Sequence, residues 1–331
     1  MNSKRDDRFK NLYLKEREKI DNRLEKVLKN RKPKSLYQPG SYILKSKGKR
    51  IRPLLVLFSA KAVGGKFSGV YNAAVAVELL HNFTLVHDDI MDNADMRRGR
   101  STLHNKYDLS TAILVGDSLL SIAYENLLKD CNGNAKYVID SFTKGLVEVC
   151  EGQSLDTEFE TRKNVSMAEY YHMIKQKTAV LLKMCCDVGA ALGGGGSEEV
   201  KALARYGLNL GMAFQIQDDL LDLTAEEKKF GKKIGGDLIE GKKTYILLRA
   251  LELAKGDDRK QLLKIVDNNG INPRQINKYK LLFEKSGVLS DAQIKIDSFT
   301  QKALNSLYLI KRKEDRDLLT WLAYLLLKRK K

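Results

Sequence analysis

Proline is scarce in this chain, and long stretches without it favour helix. Only four prolines occur among the 331 residues, at Pro33, Pro39, Pro53 and Pro273. Almost all of the chain after residue 53 therefore lacks helix-breaking residues. The segments in between are long and rich in Ala, Leu and Met, and they show neither strand-length alternation nor a βαβ rhythm. The sequence predicts one all-α helical bundle.

Cysteine is also scarce. The four residues Cys131, Cys150, Cys185 and Cys186 include no CxxC pair, and no histidine lies at zinc-site spacing from them. On a helix, the adjacent Cys185 and Cys186 point in different directions and are poorly placed to bridge each other. We predict that all four are reduced core residues.

Long apolar runs are missing. No stretch approaches the roughly 18 apolar residues that a membrane helix requires. The first ten residues, MNSKRDDRFK, contain no apolar signal core. We therefore expect a cytoplasmic location.

No internal repeat and no break in composition marks a second domain. The run GGGGS at 193–197 lacks the GK[ST] ending of a phosphate loop and is interpreted as a flexible turn between helices. We predict a single domain over residues 1–331. It comprises a surface helix with a narrow apolar stripe at about 1–34, a motif-bearing core at about 35–250 and closing helices at about 251–331.

Two aspartate-rich motifs occupy otherwise apolar surroundings. HDDIMD begins at residue 87 and QIQDDLLD at residue 215. The aspartates recur with the same offsets, and positions four apart share one face of a helix. The six residues are Asp88, Asp89, Asp92, Asp218, Asp219 and Asp222.

Clustered carboxylates repel one another, and burying them unpaired costs several kcal/mol or forces them to take up protons. All-oxygen ligation suits a hard divalent cation such as magnesium. A single motif would be equally typical of a solvated acidic turn, but the flanks AVAVELLHNFTLV and LNLGMAFQI are too apolar for a surface. We predict that the two clusters face each other across the bundle and hold several ions around one diphosphate.

Acidic residues are outnumbered by basic ones, 42 to 59, for a formal charge of +17. This charge favours anionic partners such as nucleic acid, an acidic membrane surface or diphosphates. No nucleic-acid motif is present, so nucleic acid is not expected, whereas a weak association with anionic membranes is. Arg97 and Arg98 follow the first aspartate motif, and Lys49, Arg50 and Arg52 lie in GKRIRP. Arginine's planar fork suits diphosphate oxygens.

The order of the motifs resembles that of the trans-isoprenyl diphosphate synthases, also called the polyprenyl synthetase family. GKRIRP, LVHDDIMDNADMRRG, KQKTA, FQIQDDLLD and GGDLIEGKKT follow one another between about residue 35 and about residue 250. The resemblance implies an all-α bundle with a central cavity, usually in a homodimer. There, isopentenyl diphosphate condenses with an allylic diphosphate, and pyrophosphate is released.

The resemblance also implies a role for each matching residue. The six aspartates would hold magnesium, with three ions per active site when substrate is bound. The allylic diphosphate would be gripped by Arg97, Lys177, Lys232, Lys233 and Lys242. Isopentenyl diphosphate would be held by Lys49, Arg52, His81 and Arg98. Lys177, Thr178 and Gln215 would lie near the reacting atoms.

Some of these residues have a structural alternative. His81 lies seven residues before the first aspartate, on the same helix face, but it is equally compatible with a core histidine bonded to a carbonyl. His87 is interpreted as structural, and His104 and His172 are given no role. Gln215 lies on the face of the second motif, which favours a role in the site.

Product length depends on the residues one turn before the first motif. In this family the product grows along the first aspartate helix until a bulky side chain blocks it. Phe83 is large enough to form such a floor, and Thr84 leaves space beside it. We predict a short-chain synthase that makes geranylgeranyl diphosphate. If Phe83 only packs in the core, a longer polyprenyl product follows, and a farnesyl product is the other alternative.

Two rival functions are disfavoured. A class I terpene cyclase typically mixes Asn or Asp, Ser or Thr, and Glu in its second metal motif, whereas the second motif here is all aspartate. An idle partner subunit would have lost aspartates, and none is missing.

Overall fold

The computed structural model describes residues 3–46, 48–224 and 235–327 and confirms the all-α prediction. In the amino-terminal half the α-helices are Ser3–Val27 (α1), Lys34–Leu44 (α2), Ile51–Ala62 (α3), Tyr71–Met91 (α4), Leu103–Lys106 (α5), Leu109–Lys129 (α6) and Ala135–Thr161 (α7). They continue with Met167–Ile174 (α8), Val180–Leu192 (α9), Ser197–Thr224 (α10), Gly236–Ile239 (α11), Tyr245–Leu253 (α12), Gly256–Asp267 (α13), Ile276–Ser286 (α14), Val288–Ser306 (α15) and Lys313–Leu327 (α16).

Shorter elements join these helices. A π-helical turn at Lys175–Ala179, called the π turn below, joins α8 to α9. 3₁₀ turns occupy Phe67–Gly69, Pro273–Gln275 and Leu307–Leu309. Strands Met96–Arg97 (β1) and Arg100–Ser101 (β2) pair antiparallel. The sequence predicted no strand, because two residues are too few to show alternation.

The chain divides into two compact units. The first takes the described residues of Met1–Phe142, Cys185–Leu203 and Leu309–Trp321. Its core is built on α3 and α4, which are buried along most of their length because their side chains are apolar on nearly every face. Helix α1 contacts α3 and α4 through the predicted narrow stripe, which buries Phe9, Ile20 and Leu24.

The second unit takes the described residues of Thr143–Met184, Ala204–Tyr308 and Leu322–Lys331. Large side chains fill its core, including Tyr170, Tyr206, Tyr245 and Phe283. The helices predicted after residue 251 are present as α13 to α16. The prediction of a single domain stays a prediction.

The remaining expectations have mixed outcomes. All four cysteines are free, as predicted, and Cys185 and Cys186 are buried. The prediction of a core position is wrong for Cys150, which is exposed, and for Cys131, which is partly exposed. The GGGGS run joins α9 to α10. Within the described ranges, no helix combines the length and apolar character needed to cross a bilayer.

Candidate active site

The first aspartate motif forms the carboxyl end of α4. Asp88 and Asp89 lie in its last turn, and Asp92 is the C-cap residue. A helix carries partial negative charge at this end, so carboxylates here are repelled by the helix dipole as well as by one another. This arrangement requires cationic partners.

The three carboxylates differ in their surroundings. Asp89 is 3% exposed, and its Oδ1 accepts a hydrogen bond from Nε of Arg97. Burial raises the pKa of Asp89, and the charge of Arg97 opposes that rise. Asp88 is partly exposed and Asp92 is exposed. The motif therefore consists of one buried, ion-paired aspartate and two that are more accessible.

The hairpin β1–β2 presents the two arginines that follow the motif. Arg98 and Gly99 form its two-residue turn, with φ of 52° and 72°. Left-handed backbone at both central positions is typical of a type I′ turn. Arg97 reaches back to Asp89, while Arg98 lies against Gly48, where an added Cβ would come 3.0 Å from its Nη1. The hairpin thus directs the two neighbouring arginines to different partners.

Two predicted ligands of isopentenyl diphosphate touch each other. Nη1 of Arg52 lies 3.2 Å from Nε2 of His81. Because a guanidinium only donates, Nε2 accepts, and the proton of the neutral ring belongs on Nδ1. Neither Nε of Arg52 nor Nδ1 of His81, both buried, finds a hydrogen-bond partner among the described residues.

The charge around these two side chains is positive. Burial lowers the pKa of His81, and the nearby guanidinium groups of Arg52, Arg98 and Arg97 lower it further. Burial also lowers the pKa of Arg52. Buried donors without acceptors in a positive field form a binding site for an anion.

The second aspartate motif occupies the carboxyl end of α10, which ends at Thr224. Asp218 and Asp222 are partly exposed, and Asp219 is 5% exposed. The helix dipole disfavours anions at this end too. The last turn of α10 therefore holds Asp222 where the backbone itself repels carboxylates, as the last turn of α4 holds Asp88 and Asp89.

Asp219 is held by three donors. Its Oδ2 accepts hydrogen bonds from the hydroxyl of Tyr170 (2.6 Å) and the backbone N–H of Tyr245 (2.9 Å), and its Oδ1 accepts one from Nε2 of Gln215 (3.0 Å). Burial, together with the charge of Asp237, raises the pKa of Asp219 to about 7, although the hydrogen bonds oppose this. Asp219 is thus already occupied by protein groups.

The π turn positions two predicted residues. Helix α7 passes so close that a Cβ on Gly152 would lie 2.1 Å from the backbone N of Lys177. The ammonium of Lys177 pairs with Asp156, also on α7. The hydroxyl of Thr178 donates to Oε1 of Gln215 (2.9 Å). Thr178, Gln215 and Asp219 therefore form one chain of hydrogen bonds, and π turns occur frequently at functional sites.

The two lysines of the KKT sequence differ in their surroundings. Lys242 forms an ion pair with Glu240 at 2.9 Å, whereas Lys243 is 4% exposed and donates to the backbone oxygen of Glu160 at 3.0 Å. Burial alone would lower the pKa of Lys242, but Glu240 and Asp237 raise it. Lys243 therefore has a structural role, whereas Lys242 is paired with a carboxylate and lines the recess beside the second motif. The other lysines predicted here lie outside the described residues: Lys232 and Lys233.

A recess in the second unit brings acidic and basic groups together. Its lining includes Asp219, Asp222, Asp237 and Lys242. The backbone N–H of Asp237 donates to Oδ2 of Asp222 (3.2 Å), which fixes the motif's last carboxylate. In the described part of the chain, however, no three His, Cys, Asp or Glu side chains gather closely enough to hold a metal ion by themselves.

Phe83, the predicted floor residue, contacts His87, which in turn contacts helix α6. The ring of Phe83, 9% exposed, lies edge-on to His87 at 4.6 Å between centroids. His87 in turn lies on Gly116 of α6, where an added Cβ would come 2.3 Å from its Nε2. Thr84 is partly exposed and donates to the backbone oxygen of His81. His87 is structural, as predicted, because it wedges between Phe83 and α6.

Sequence reasoning missed several residues that hold the site, two of them, Asp237 and Tyr245, through their backbone N–H groups. Asp237 lies inside the quoted motif GGDLIEGKKT, so its acidic character was the available signal. Asp156, Tyr170 and Tyr245 show no pattern of their own, because they reach the site from other helices.

Comparisons with known proteins agree with this picture. The model of the family "Polyprenyl synthetase" matches residues 33–282. A geranylgeranyl diphosphate synthase of Methanosarcina mazei is 45% identical over 235 residues, 70% of this chain and 72% of the relative. The geranylgeranyl diphosphate synthase of Sulfolobus acidocaldarius is 39% identical over 284 residues, which cover 85% of this chain and 86% of the relative. The crystal structure of geranylgeranyl pyrophosphate synthetase from Pyrococcus horikoshii is 36% identical, with a TM-score of 0.89 over 98% of this chain and 100% of the other. This chain belongs to the polyprenyl synthetase family, as its motifs predicted.

Proposed function

We propose that this protein condenses isopentenyl diphosphate with an allylic diphosphate and that its product is geranylgeranyl diphosphate. The observation that carries the proposal is the anion site at Arg52 and His81, whose buried donors lack acceptors. Arg97, which pairs with Asp89 of the first motif, also contributes to the positive field at His81. One diphosphate would bind these basic side chains, and a second would bind through metal ions. The names of the relatives support the choice of product.

The donor set fits magnesium. Carboxylate oxygens are its preferred protein ligands, and it usually binds through one or two carboxylates plus waters and substrate phosphate. Two accessible carboxylates at each helix end match that need, and the helix dipole adds attraction for a cation. We propose that Asp88, Asp92, Asp218 and Asp222 hold the ions, three per site with substrate bound, and that Asp89 and Asp219 support them from within the protein.

The basic residues would act on the leaving group. Breaking the allylic carbon–oxygen bond leaves a carbocation and places negative charge on pyrophosphate. Arg97, Lys177 and Lys242 would neutralise that charge as it develops. When bound, magnesium supplies Lewis-acid stabilisation of the same charge. Each motif would act on an allylic diphosphate through the ions that it holds, and the single domain stays a prediction.

The other substrate would be held so that its double bond meets the cation. Lys49, Arg52, His81 and Arg98 would bind its diphosphate through charge-assisted hydrogen bonds. Attack by the double bond forms the new carbon–carbon bond and leaves a carbocation on the former isopentenyl unit, which loses a proton to the released pyrophosphate to give the product. Thr178 and Gln215, linked by their hydrogen bond, would orient groups beside the reacting carbons. Water must be excluded, because it would convert the cation to an alcohol.

Incubation with defined substrates tests the proposal. The purified protein is supplied with Mg²⁺, isopentenyl diphosphate and, in turn, dimethylallyl, geranyl or farnesyl diphosphate, and product chain length is measured by mass spectrometry. We expect twenty-carbon products. Fifteen carbons or a long ladder would retain the reaction and reject the product. No condensation by folded protein would favour an idle subunit, and a cyclic hydrocarbon would favour a terpene cyclase.

We also propose a homodimer. Helix α6 exposes Leu109, Ile113 and Leu114 by 53%, 41% and 58%. Apolar side chains this close together and this exposed are typical of an interaction surface, and a second copy of the chain is the partner expected for this family. Analytical ultracentrifugation should give twice the mass of the chain. A monomer mass at micromolar concentration would contradict the proposal.

The formal charge of +17 supports a weak association with anionic membranes, into which the product partitions. Co-sedimentation with acidic vesicles should fall as salt is added, because salt screens the attraction. Equal binding to neutral vesicles would contradict this. The cytoplasmic location stays a prediction.

A further inference from the structure

The loop that carries Lys49 depends on other parts of the chain for its shape. Residues 48–50, called the GKR loop below, form no helix or strand. Arg50 has φ of 49°, in the left-handed region that residues with a side chain rarely adopt. Because α3 begins directly after the loop, the backbone at Arg50 sets the directions of both Lys49 and Arg52.

Arg50 uses its donors inside the protein. Nη1 donates to Glu78 of α4 (2.6 Å), and Nε donates to Asp21 of α1 (2.7 Å). Nη2 donates to the backbone oxygens of Leu44 (3.2 Å) and Ser46 (2.7 Å). Arg50 is 5% exposed. With its donors committed in this way, Arg50 anchors the loop and does not bind a diphosphate.

Helix α1 makes a second contact with the same loop. The hydroxyl of Tyr13 donates to the backbone oxygen of Lys49 at 2.7 Å. Tyr13 is 6% exposed, and its bond to Lys49 is partly buried. Tyr13 and Asp21 are two turns apart on α1 and hold the loop at two points.

Electrostatics explains why the loop needs this support. Arg52 and Arg98 lie close enough together that the charge of Arg98 lowers the pKa of Arg52, so these cations repel each other before any anion arrives. Asp21 and Glu78 pair with Arg50 and hold the loop against α1 and α4, and the charge of Glu78 also favours the charged forms of Arg52 and Arg98.

We propose that α1 organises the isopentenyl diphosphate site and that Tyr13 and Asp21 are its positioning residues. Neither touches substrate, and both act through the GKR loop. The inference rests on the proposed function and deepens it. It gives the predicted surface helix a specific part in recognising one of the two substrates.

Two conservative variants test the inference. Tyr13→Phe removes the donor to Lys49, and Asp21→Asn removes the charge beside Arg50. We expect each to raise KM for isopentenyl diphosphate about fivefold, the factor that corresponds to the loss of one hydrogen bond. KM for the allylic substrate and kcat should stay unchanged, and Tm should fall only by the few degrees that correspond to one lost hydrogen bond. Matched controls are Tyr308→Phe, at a tyrosine that is 74% exposed, and Asp7→Asn, at an exposed position on α1.

Binding measured without turnover completes the test. Calorimetric titration with isopentenyl diphosphate should show a Kd about fivefold higher for each variant than for the unmodified protein and the controls. Equal Kd values would overturn the inference. It would also be overturned if both KM values and kcat changed together with a lower Tm, because α1 would then support only the fold. If the unmodified protein condenses no substrates, the proposed function fails, and the calorimetric comparison still decides the role of α1.

Discussion

The neighbouring aspartates Asp218 and Asp219 should separate catalysis from stability when each is changed to asparagine. Asp218→Asn removes one of the clustered like charges of the second motif, at a partly exposed position on α10. Stability should therefore be retained or slightly increased. Turnover should fall at least about a hundredfold, because a proposed metal ligand is lost.

Asp219→Asn should affect stability more and turnover less than Asp218→Asn does. The amide oxygen can still accept from Tyr170 and Tyr245, but the new NH₂ group would face the donor Nε2 of Gln215. An unsatisfied buried donor costs about 1–3 kcal/mol. Turning the amide of Gln215 disturbs its bond with Thr178. Tm should fall by several degrees, and turnover should fall less than in Asp218→Asn.

Thermal unfolding followed by circular dichroism and steady-state turnover together decide the matter. Asp267→Asn is the matched control, since Asp267 is an exposed aspartate at the carboxyl end of α13 and belongs to no motif. Near-normal turnover in Asp218→Asn would refute the proposed metal role. An unchanged Tm in Asp219→Asn would show that its three hydrogen bonds do not stabilise the fold.

Three further outcomes are expected. Phe83→Ala should lengthen the product, measured by mass spectrometry, because the floor is removed; an unchanged length would place the floor elsewhere. Arg52→Gln should raise KM for isopentenyl diphosphate at least about tenfold through the loss of charge-assisted bonds. In steady-state assays the exposed control Arg205→Gln should leave this KM unchanged. An equal KM in the Arg52→Gln variant and the control would refute the role of Arg52. Chelation with EDTA should abolish turnover and added Mg²⁺ should restore it, so activity that persists in EDTA would contradict metal dependence.

The helices were predictable because their signals are local and extended. Missing prolines and long apolar segments set the class of the fold, and the aspartate offsets placed each motif on a helix. The structure adds that both motifs lie at carboxyl ends. The sequence did not show that α4 ends just before Asp92, because helix boundaries are weakly encoded in sequence.

Features that depend on contacts between distant segments were not predictable. The π turn exists where α7 passes at Gly152, and nothing in KQKTA indicates a wider helical turn. Lys242 and Lys243 are adjacent in sequence and alike in chemistry. Lys243 is the buried one because it bonds the backbone oxygen of Glu160, a distant contact that the sequence does not show. The narrow stripe of α1 predicted a surface helix, but the contact from Tyr13 to Lys49 spans 36 residues and has no local signature.

The position of His87 on Gly116 links Phe83, the proposed floor residue, to a position outside the first aspartate helix. A side chain at residue 116 would displace His87, and His87 supports the ring of Phe83. The three positions therefore share one volume, and none can change size without affecting the others. We therefore expect a change of side-chain size at residue 83 to require a compensating change at residue 87 or on α6, so that the two helices adjust as a pair.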